Sequence, residues 1–184
     1  TYIDDNNLPL CKKLGYLPQY QSYYKNYSAE EFLHYIIALK GLKIRNEKEY
    51  CRILLEQVNL ADCGKKKIGA FSGGMKQRLG IAQALVGEPN VLIFDEPTAG
   101  LDPKERIRFR NLISSLGNDK IVILATHIVS DISYIAKQVV LINNGLLVDC
   151  GTQSEITSKL KGKVWEYCCE SKEHKAYCNK CITD

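Results

Sequence analysis

The feature that most constrains the fold is a short apolar run that ends in two adjacent carboxylates. Residues 91–97 read Val-Leu-Ile-Phe-Asp-Glu-Pro. Four consecutive apolar residues are typical of a strand buried on both faces, as in parallel sheets. Ligands of such sheets bind beyond the carboxyl ends of the strands, so we expect Asp95 and Glu96 to face a ligand. One carboxylate can hold a hydrated magnesium ion, and its neighbour can orient or deprotonate a water.

Taken alone, this pair also suits an ordinary loop, but the surrounding segments favour a functional interpretation. Ser72 is followed by Gly73 and Gly74 at the start of a predicted helix. Unpaired N–H groups and the helix dipole make such a start an anion site, although a plain Ser N-cap is the alternative. Three further segments complete the set: Leu-Gly-Tyr-Leu-Pro-Gln ending at Gln19, Ala-Gly-Leu-Asp ending at Asp102, and Ala-Thr-His ending at His127.

These five segments, in this order, resemble the nucleotide-binding domain of ATP-binding cassette (ABC) proteins. They correspond to its Q-loop, signature motif, Walker B motif, D-loop and H-loop, and the resemblance covers about residues 10–160. Within the superfamily, the signature and Walker B segments look like those of bacterial transport ATPases that serve a separate membrane-spanning partner.

The resemblance implies an α/β fold, with the mostly parallel sheet of a P-loop NTPase, an α-helical subdomain insert and an antiparallel edge hairpin. We expect a partial nucleotide-binding domain over residues 1–162, with the helical subdomain at about 22–86, and a C-terminal extension or disordered tail over 163–184. Local signals agree with this order. They predict helices after Ser28, Asn46, Ser72, Asp102 and Thr152 and around 130–136, and strands at 90–95, 121–126, 139–142 and 146–149.

The resemblance also implies roles at the predicted strand ends. Asp95 would hold Mg²⁺ through water, and Glu96 would polarise the attacking water. His127 would contact the terminal phosphate of ATP. Gln19 would sense the same phosphate and the magnesium ion, and it would link the catalytic core to the helical subdomain.

Other roles depend on a second copy of the domain. The resembled family pairs two nucleotide-binding domains head to tail around two ATP molecules. Ser72, Gly73 and Gly74 would therefore contact the nucleotide of the partner domain. Asp102 would cap a helix and also reach across the dimer interface.

No Gly-x-x-x-x-Gly-Lys-Ser/Thr motif occurs in the 184 residues. The nearest candidate, Gly64-Lys65, is followed by Lys66 and has Asn59 where the first glycine should be. The resemblance places the phosphate loop after a first strand, so we expect a unit of roughly 30 or more residues before Thr1. The fragment alone would then bind ATP poorly and be inactive. The alternative is an ABC-like protein that never had the loop.

Charge and hydropathy indicate the kind of partner. The formal net charge is +4, and Lys and Arg are dispersed among Asp and Glu, which is not a nucleic-acid footprint. Apolar runs fall short of the ~18 residues of a spanning helix. We therefore expect the ATP-hydrolysing subunit of an ABC transporter, bound to an integral membrane permease at the cytoplasmic face of the membrane. The alternatives are a soluble ABC ATPase acting on ribosomes or DNA, and a degenerate regulatory ABC domain.

Eight cysteines are present, four of them near the end of the chain. The four are Cys168, Cys169, Cys178 and Cys181, and His174 lies among them. One Cys-x-x-Cys pair could contribute to a zinc site, but a second regular pair is lacking, so incidental cysteines are the favoured interpretation.

Overall fold

A computed structural model describes residues 13–161 and residue 163, so most of the predicted C-terminal extension and its cysteines lie outside the described residues. The chain divides into two compact units, with the boundary between Ile135 and Ala136. The elements are β1 (Leu14–Leu17), α1 (Ala29–Leu39), α2 (Glu47–Gln57), α3 (Gly73–Leu85), β2 (Val91–Asp95), α4 (Pro103–Leu116), β3 (Ile121–Ala125), α5 (Val129–Ile135), β4 (Val139–Asn143), β5 (Leu146–Gly151) and α6 (Gln153–Ser158). Within residues 13–161, no helix is both long and apolar enough to cross a membrane.

The first unit is built on a three-stranded parallel sheet in the order β1-β2-β3. Leu17 pairs with Phe94, and Asp95 pairs with Ala125, so all three strands end at the same edge. The α/β class and the parallel sheet predicted from the sequence are confirmed. This register is what brings the residues after each strand together.

The two faces of this sheet differ in burial. Leu92 and Phe94 are fully buried on one face, where the Phe94 ring meets Phe109 of α4 edge-on at 6.4 Å between ring centroids. The other face is open: Tyr16, Ile123 and Ile121 are 48%, 50% and 64% exposed. Parallel sheets normally have both faces covered. The described residues of the first unit therefore leave an apolar face of their own sheet without a cover.

Three helices, α1, α2 and α3, pack together in the region predicted as the helical subdomain. The predicted capping box at the start of α1 is present. The Ser28 N–H donates to the Glu31 carboxylate at 2.6 Å, and the Glu31 N–H donates to the Ser28 hydroxyl at 3.2 Å. The bond from the Ser28 N–H lowers the pKa of the Glu31 carboxyl. Asn46 and Ser72 are the N-caps of α2 and α3, as predicted, and each side chain accepts from the backbone N–H three residues on.

In the second unit, β4 and β5 form a two-stranded antiparallel sheet of their own. The predicted turn is confirmed: Asn144 and Gly145 have φ values of 50° and 76°. Two positive φ values define the type I′ turn, whose twist suits a two-residue hairpin. β5 is longer than predicted, because Cys150 and Gly151 continue the ladder with β4.

The contact between β1 and α3 depends on a glycine. A Cβ atom at Gly15 would lie 2.2 Å from the carbonyl oxygen of Ala84 and 2.6 Å from a methyl group of Leu92. The first of these is backbone of α3 and cannot rotate away. Gly15 therefore permits the close approach of β1 to the helix.

We expect Gly15→Ala to lower the free energy of unfolding by about 2 kcal/mol, because helix and strand must separate to admit the methyl group. Urea denaturation measures this. The control is Gly117→Ala, where the new Cβ makes only ordinary contacts at 3.5 Å and beyond. Equal stabilities for the two variants would contradict the packing described here.

Candidate functional site

Four of the predicted site residues follow strand ends at one edge of the parallel sheet. Gln19 lies two residues after β1, Asp95 ends β2, Glu96 follows it, and His127 lies two residues after β3. The parallel register places these strand ends side by side. The edge thus gathers two carboxylates, an amide and an imidazole, while the role of each remains a prediction.

Glu96 and His127 are in direct contact. The backbone N–H of His127 donates to Glu96 Oε1 at 3.0 Å, and His127 Nδ1 lies 2.6 Å from the same oxygen. The Glu96 side chain is 16% exposed and the His127 side chain is 77% exposed. The carboxylate is thus oriented by protein donors, while the imidazole faces outward and is accessible to a ligand.

The backbone of Glu96 is left-handed, with φ +46°. This conformation is uncommon for a residue with a Cβ and costs of order 1 kcal/mol or more, so the surrounding structure must maintain it. On one side, the Glu96 N–H donates to the carbonyl of Ala125 at 2.8 Å. On the other, the side chain of Gln77 donates to the carbonyl of Pro97 at 2.5 Å. We call residues 96–98 the Glu96 loop.

A buried carboxylate anchors the end of this loop. Asp131 is fully buried, and its Oδ2 accepts a hydrogen bond from the buried hydroxyl of Thr98. Its Oδ1 accepts from Arg110 Nε at 2.7 Å and lies 2.5 Å from Arg110 Nη2. A buried charge persists where it is paired and hydrogen-bonded. Since Asp131 lies four residues after His127, this contact joins the same two segments as the contact between Glu96 and His127.

The carboxylate of Asp95 differs from those of Glu96 and Asp131. It is partly exposed and has no hydrogen-bond or ion-pair partner within the described part of the chain, and Gln19 is exposed. Among the residues the structure describes, no three His, Cys, Asp or Glu side chains cluster as a metal site. Mg²⁺ typically takes one or two carboxylates and keeps waters and phosphate oxygens as its other ligands. An unpartnered carboxylate at the same sheet edge as the exposed Gln19 fits that ion.

The predicted anion site opens α3. Ser72 is the N-cap, and its hydroxyl accepts from the Met75 N–H at 3.2 Å. A Cβ at Gly73 would meet nothing within 4 Å, whereas one at Gly74 would lie 2.7 Å from a carboxylate oxygen of Glu105. Gly73 thus borders open space at a helix N-terminus, and Gly74 permits close packing against α4.

Helix α4 supports this start of α3. The Glu105 carboxylate lies 2.5 Å from Arg78 Nη1, and both side chains are mostly buried. Asp102 caps α4 as predicted, accepting from the Glu105 N–H at 2.9 Å. No hydrogen bond within residues 13–161 joins Ser72 or Asp102 to Glu96 or His127. The predicted residues therefore form two groups, one at the sheet edge and one at the starts of α3 and α4.

Sequence reasoning missed the residues that hold these groups in place. Thr98 and Asp131 are 33 residues apart, and Gln77 and Pro97 are 20 apart. No local spacing marks either pair in the sequence. Which distant side chains pair depends on tertiary packing, and the sequence pattern does not show that.

The α/β fold, the carboxylates at the strand ends and the glycine-opened helix agree with the nucleotide-binding domain that the sequence resembles. Residues 4–99 match the family described as ABC transporter. This match covers more than half of the 184 residues, and the chain belongs to the ABC transporter family.

Two curated relatives come from Bacillus subtilis (strain 168). The chain is 39% identical over 152 residues to the uncharacterized ABC transporter ATP-binding protein YxlF, which covers 83% of this chain and 52% of the relative. It is 32% identical over 152 residues to the linearmycin resistance ATP-binding protein LnrL, which covers 82% of this chain and 49% of the relative. The chain thus spans about half the length of these relatives.

One solved structure shares the fold. It is an ABC transporter assigned to the metal-chelate type, in an inward-facing conformation. The superposition has a TM-score of 0.70 at 24% sequence identity and covers 78% of this chain and 60% of the other. At this identity the likeness concerns the fold alone, and it agrees with the α/β architecture expected from the sequence.

We expect Asp131→Asn to lower the free energy of unfolding by about 3 to 5 kcal/mol, because the mostly buried Arg110 loses its anionic partner. Thr98→Val should cost less, about 1 to 3 kcal/mol, because it removes one buried hydrogen bond. Urea denaturation compares the two. Glu49→Gln, which breaks an exposed ion pair with Arg52, is the control and should leave the stability close to that of the parent. A fully stable Asp131→Asn protein would disprove the anchoring role.

Proposed function

We propose that this chain is the ATP-binding and ATP-hydrolysing subunit of an ABC transporter. Closure of a head-to-tail dimer of such subunits on ATP would drive transport by a separate integral membrane permease. The observation that carries the proposal is the contact between Glu96 and His127 at the end of two parallel strands. Membership of the ABC transporter family, and relatives named as ATP-binding proteins, support it.

The orientation and exposure of Glu96 and His127 suit the hydrolysis of ATP. Glu96 is oriented by two donors of His127 but keeps part of its surface exposed, as a general base for an attacking water requires. The exposed imidazole of His127 is accessible to a terminal phosphate. Phosphoryl transfer depends mainly on positioning and on stabilising charge, so a preorganised pair of this kind suits it.

Asp95 and Gln19 would hold Mg²⁺ at the same edge. The Asp95 carboxylate has no hydrogen-bond or ion-pair partner among the described residues, which leaves its oxygens free to accept from water molecules bound to the ion. When bound, Mg²⁺ neutralises charge on the phosphate oxygens. Gln19, in the segment between β1 and the helical subdomain, would report the occupancy of the site to that subdomain.

The start of α3 would serve the nucleotide of the second copy. Ser72, Gly73 and Gly74 have no hydrogen bond to Glu96 or His127 within the described residues, and Gly73 borders open space. An ATP bound by the partner would receive the N–H groups of this helix start. Asp102 starts the neighbouring helix and would lie at the same interface.

The open face of the parallel sheet is where we place the phosphate loop, whose motif does not occur in the 184 residues. Tyr16, Ile121 and Ile123 expose apolar surface that a parallel sheet normally covers with helices. We propose that, in the whole protein, a unit carrying the phosphate loop covers this face. Without that loop, the chain described here would bind ATP poorly, because the lysine and the nest of N–H groups supply much of the affinity.

The permease would hold the subunit at the cytoplasmic face of the membrane. Dispersed Lys and Arg argue against a nucleic-acid partner, which would favour a basic stripe. Purification of the whole protein tests this assignment. Co-purification with an integral membrane protein is the expected result, and salt-sensitive binding of RNA or DNA would instead support the soluble ATPase alternative.

We expect Glu96→Gln in the whole protein to lower ATP hydrolysis by about 100-fold or more while ATP still binds, since the amide is similar in size but a far weaker base. Release of phosphate and equilibrium binding of ATP measure the two effects. Glu56→Gln, on the exposed face of α2, is the matched control and should hydrolyse ATP at the parent rate. Unchanged hydrolysis in Glu96→Gln would eliminate the assignment of Glu96 as general base.

Gly73→Ala separates function from folding. Beyond its chain neighbours and its own helix backbone, the added methyl group meets no atom of the described residues within 4 Å, so the thermal unfolding midpoint should not fall. The same methyl would occupy space that a phosphate needs, and we expect hydrolysis to fall about tenfold or more. A variant that is equally stable and equally active would show that no anion approaches this helix start.

A further inference from the structure

We propose that Gln77 is a positioning residue for Glu96, so that helix α3 sets the place of the catalytic carboxylate in its own chain. This inference rests on the proposed ATPase function. Gln77 lies in the second turn of α3, five residues after Ser72. Its side chain makes no hydrogen bond to the groups assigned to nucleotide or metal within the described residues, and it acts through the backbone of the Glu96 loop.

The first step is the bond from Gln77 to the loop. Its Nε2 donates to the carbonyl of Pro97 at 2.5 Å. Pro97 immediately follows Glu96, and its ring fixes its own φ. A residue that precedes proline also has a restricted backbone. Holding the Pro97 carbonyl therefore limits the rotation open to the Glu96 backbone, which is already in the costly left-handed region.

The second step is the orientation of the Gln77 amide. Its Oε1 accepts from Gln21 Nε2 at 3.2 Å, which leaves the Gln77 NH₂ group facing Pro97. Tyr23 supports Gln21 by a hydrogen bond to its Oε1, and the Tyr23 hydroxyl also lies 2.7 Å from the carbonyl oxygen of Lys76. Burial raises the pKa of Tyr23 well above its usual range, so the hydroxyl remains protonated. Both ends of the Gln77 amide thus have assigned partners.

The third step is the rigidity of this junction. A Cβ at Gly80, nearly one turn after Gln77, would lie 2.5 Å from Leu17 and 2.6 Å from Gln21. Helix α3 therefore packs directly against the end of β1 and the segment that carries Gln19. Through Gln77, one helix touches both that segment and the Glu96 loop. If α3 moves when its N-terminus binds the partner's nucleotide, Gln77 would therefore shift the Glu96 loop and the Glu96 carboxylate with it.

The test compares Gln77→Glu with Gln83→Glu in the whole protein, purified with its membrane partner. Glutamate at position 77 has a similar shape but cannot donate to the Pro97 carbonyl. Gln83, on the same helix, makes no side-chain hydrogen bond within the described residues, so it controls for the added charge. We expect kcat for ATP hydrolysis to fall about tenfold in Gln77→Glu, with KM within about twofold, because a small misplacement of a catalytic group is costly. Gln83→Glu should match the parent.

A second readout separates positioning from a general structural role. ATP should induce dimers of the Glu96→Gln variant and of the double variant Glu96→Gln, Gln77→Glu equally well, since Gln77 is not assigned to nucleotide binding. Gln77→Ala, which removes both hydrogen bonds without adding charge, should show the same loss of kcat. It serves as the second variant if Gln77→Glu folds poorly.

The outcomes decide the inference and the proposed function separately. If Glu96→Gln abolishes hydrolysis but both Gln77 variants keep the parent kcat, the positioning role is wrong and the ATPase assignment stands. Loss of ATP-induced dimers in the Gln77 variants, or a KM raised as much as kcat is lowered, would also overturn the positioning role, because either result shows a general structural effect. Hydrolysis at the parent rate in Glu96→Gln would overturn the proposed function, and the inference with it.

Discussion

The structure depends on holding one residue in a backbone conformation that its side chain disfavours. Glu96 is left-handed at the point where β2 ends, and this turns its carboxylate toward His127 at the end of β3. No local preference stabilises that conformation, because Glu has a Cβ and precedes a proline. It persists through bonds from three directions: to Ala125, from Gln77, and from Thr98 to the buried Asp131. A costly backbone at a strand end is thus a constraint that the surrounding helices must satisfy.

The rest of the first unit can be understood from this constraint. The parallel register sets β1, β2 and β3 to end together, which brings Gln19, Asp95 and His127 to the same edge as Glu96. Helix α3 supports the edge through Gln77, and α4 supports α3 through the pair of Glu105 with Arg78. At the start of α3, Gly74 packs against α4, while Gly73 has free space beside it. In the proposed dimer, the same helix would therefore contact one nucleotide and steady the carboxylate that acts on the other.

Much of this arrangement could be predicted from the sequence, because it depends on local signals. The capping residues Ser28, Ser72 and Asp102, the apolar strand before Asp95 and the Asn144-Gly145 turn each act within a few residues. Family resemblance and the predicted strand ends place Glu96 and His127 at the same phosphate, but they do not predict the direct contact between the two side chains. The pairs that maintain it could not be predicted. Asp131 with Thr98, and Gln77 with Pro97, are made by tertiary packing, and neither pair has a periodic or spacing signal.

The central claim is that an acidic strand end and a glycine-opened helix start, supplied by two copies, meet at one triphosphate. An experimental structure of the whole protein, carrying Glu96→Gln and bound to ATP and Mg²⁺, tests it most directly. The account predicts that Ser72 and Gly73 of one copy lie within hydrogen-bond distance, about 3 Å, of the terminal phosphate held at Asp95 and His127 of the other. A closed dimer in which Ser72 contacts no nucleotide, or only that of its own copy, would contradict the account.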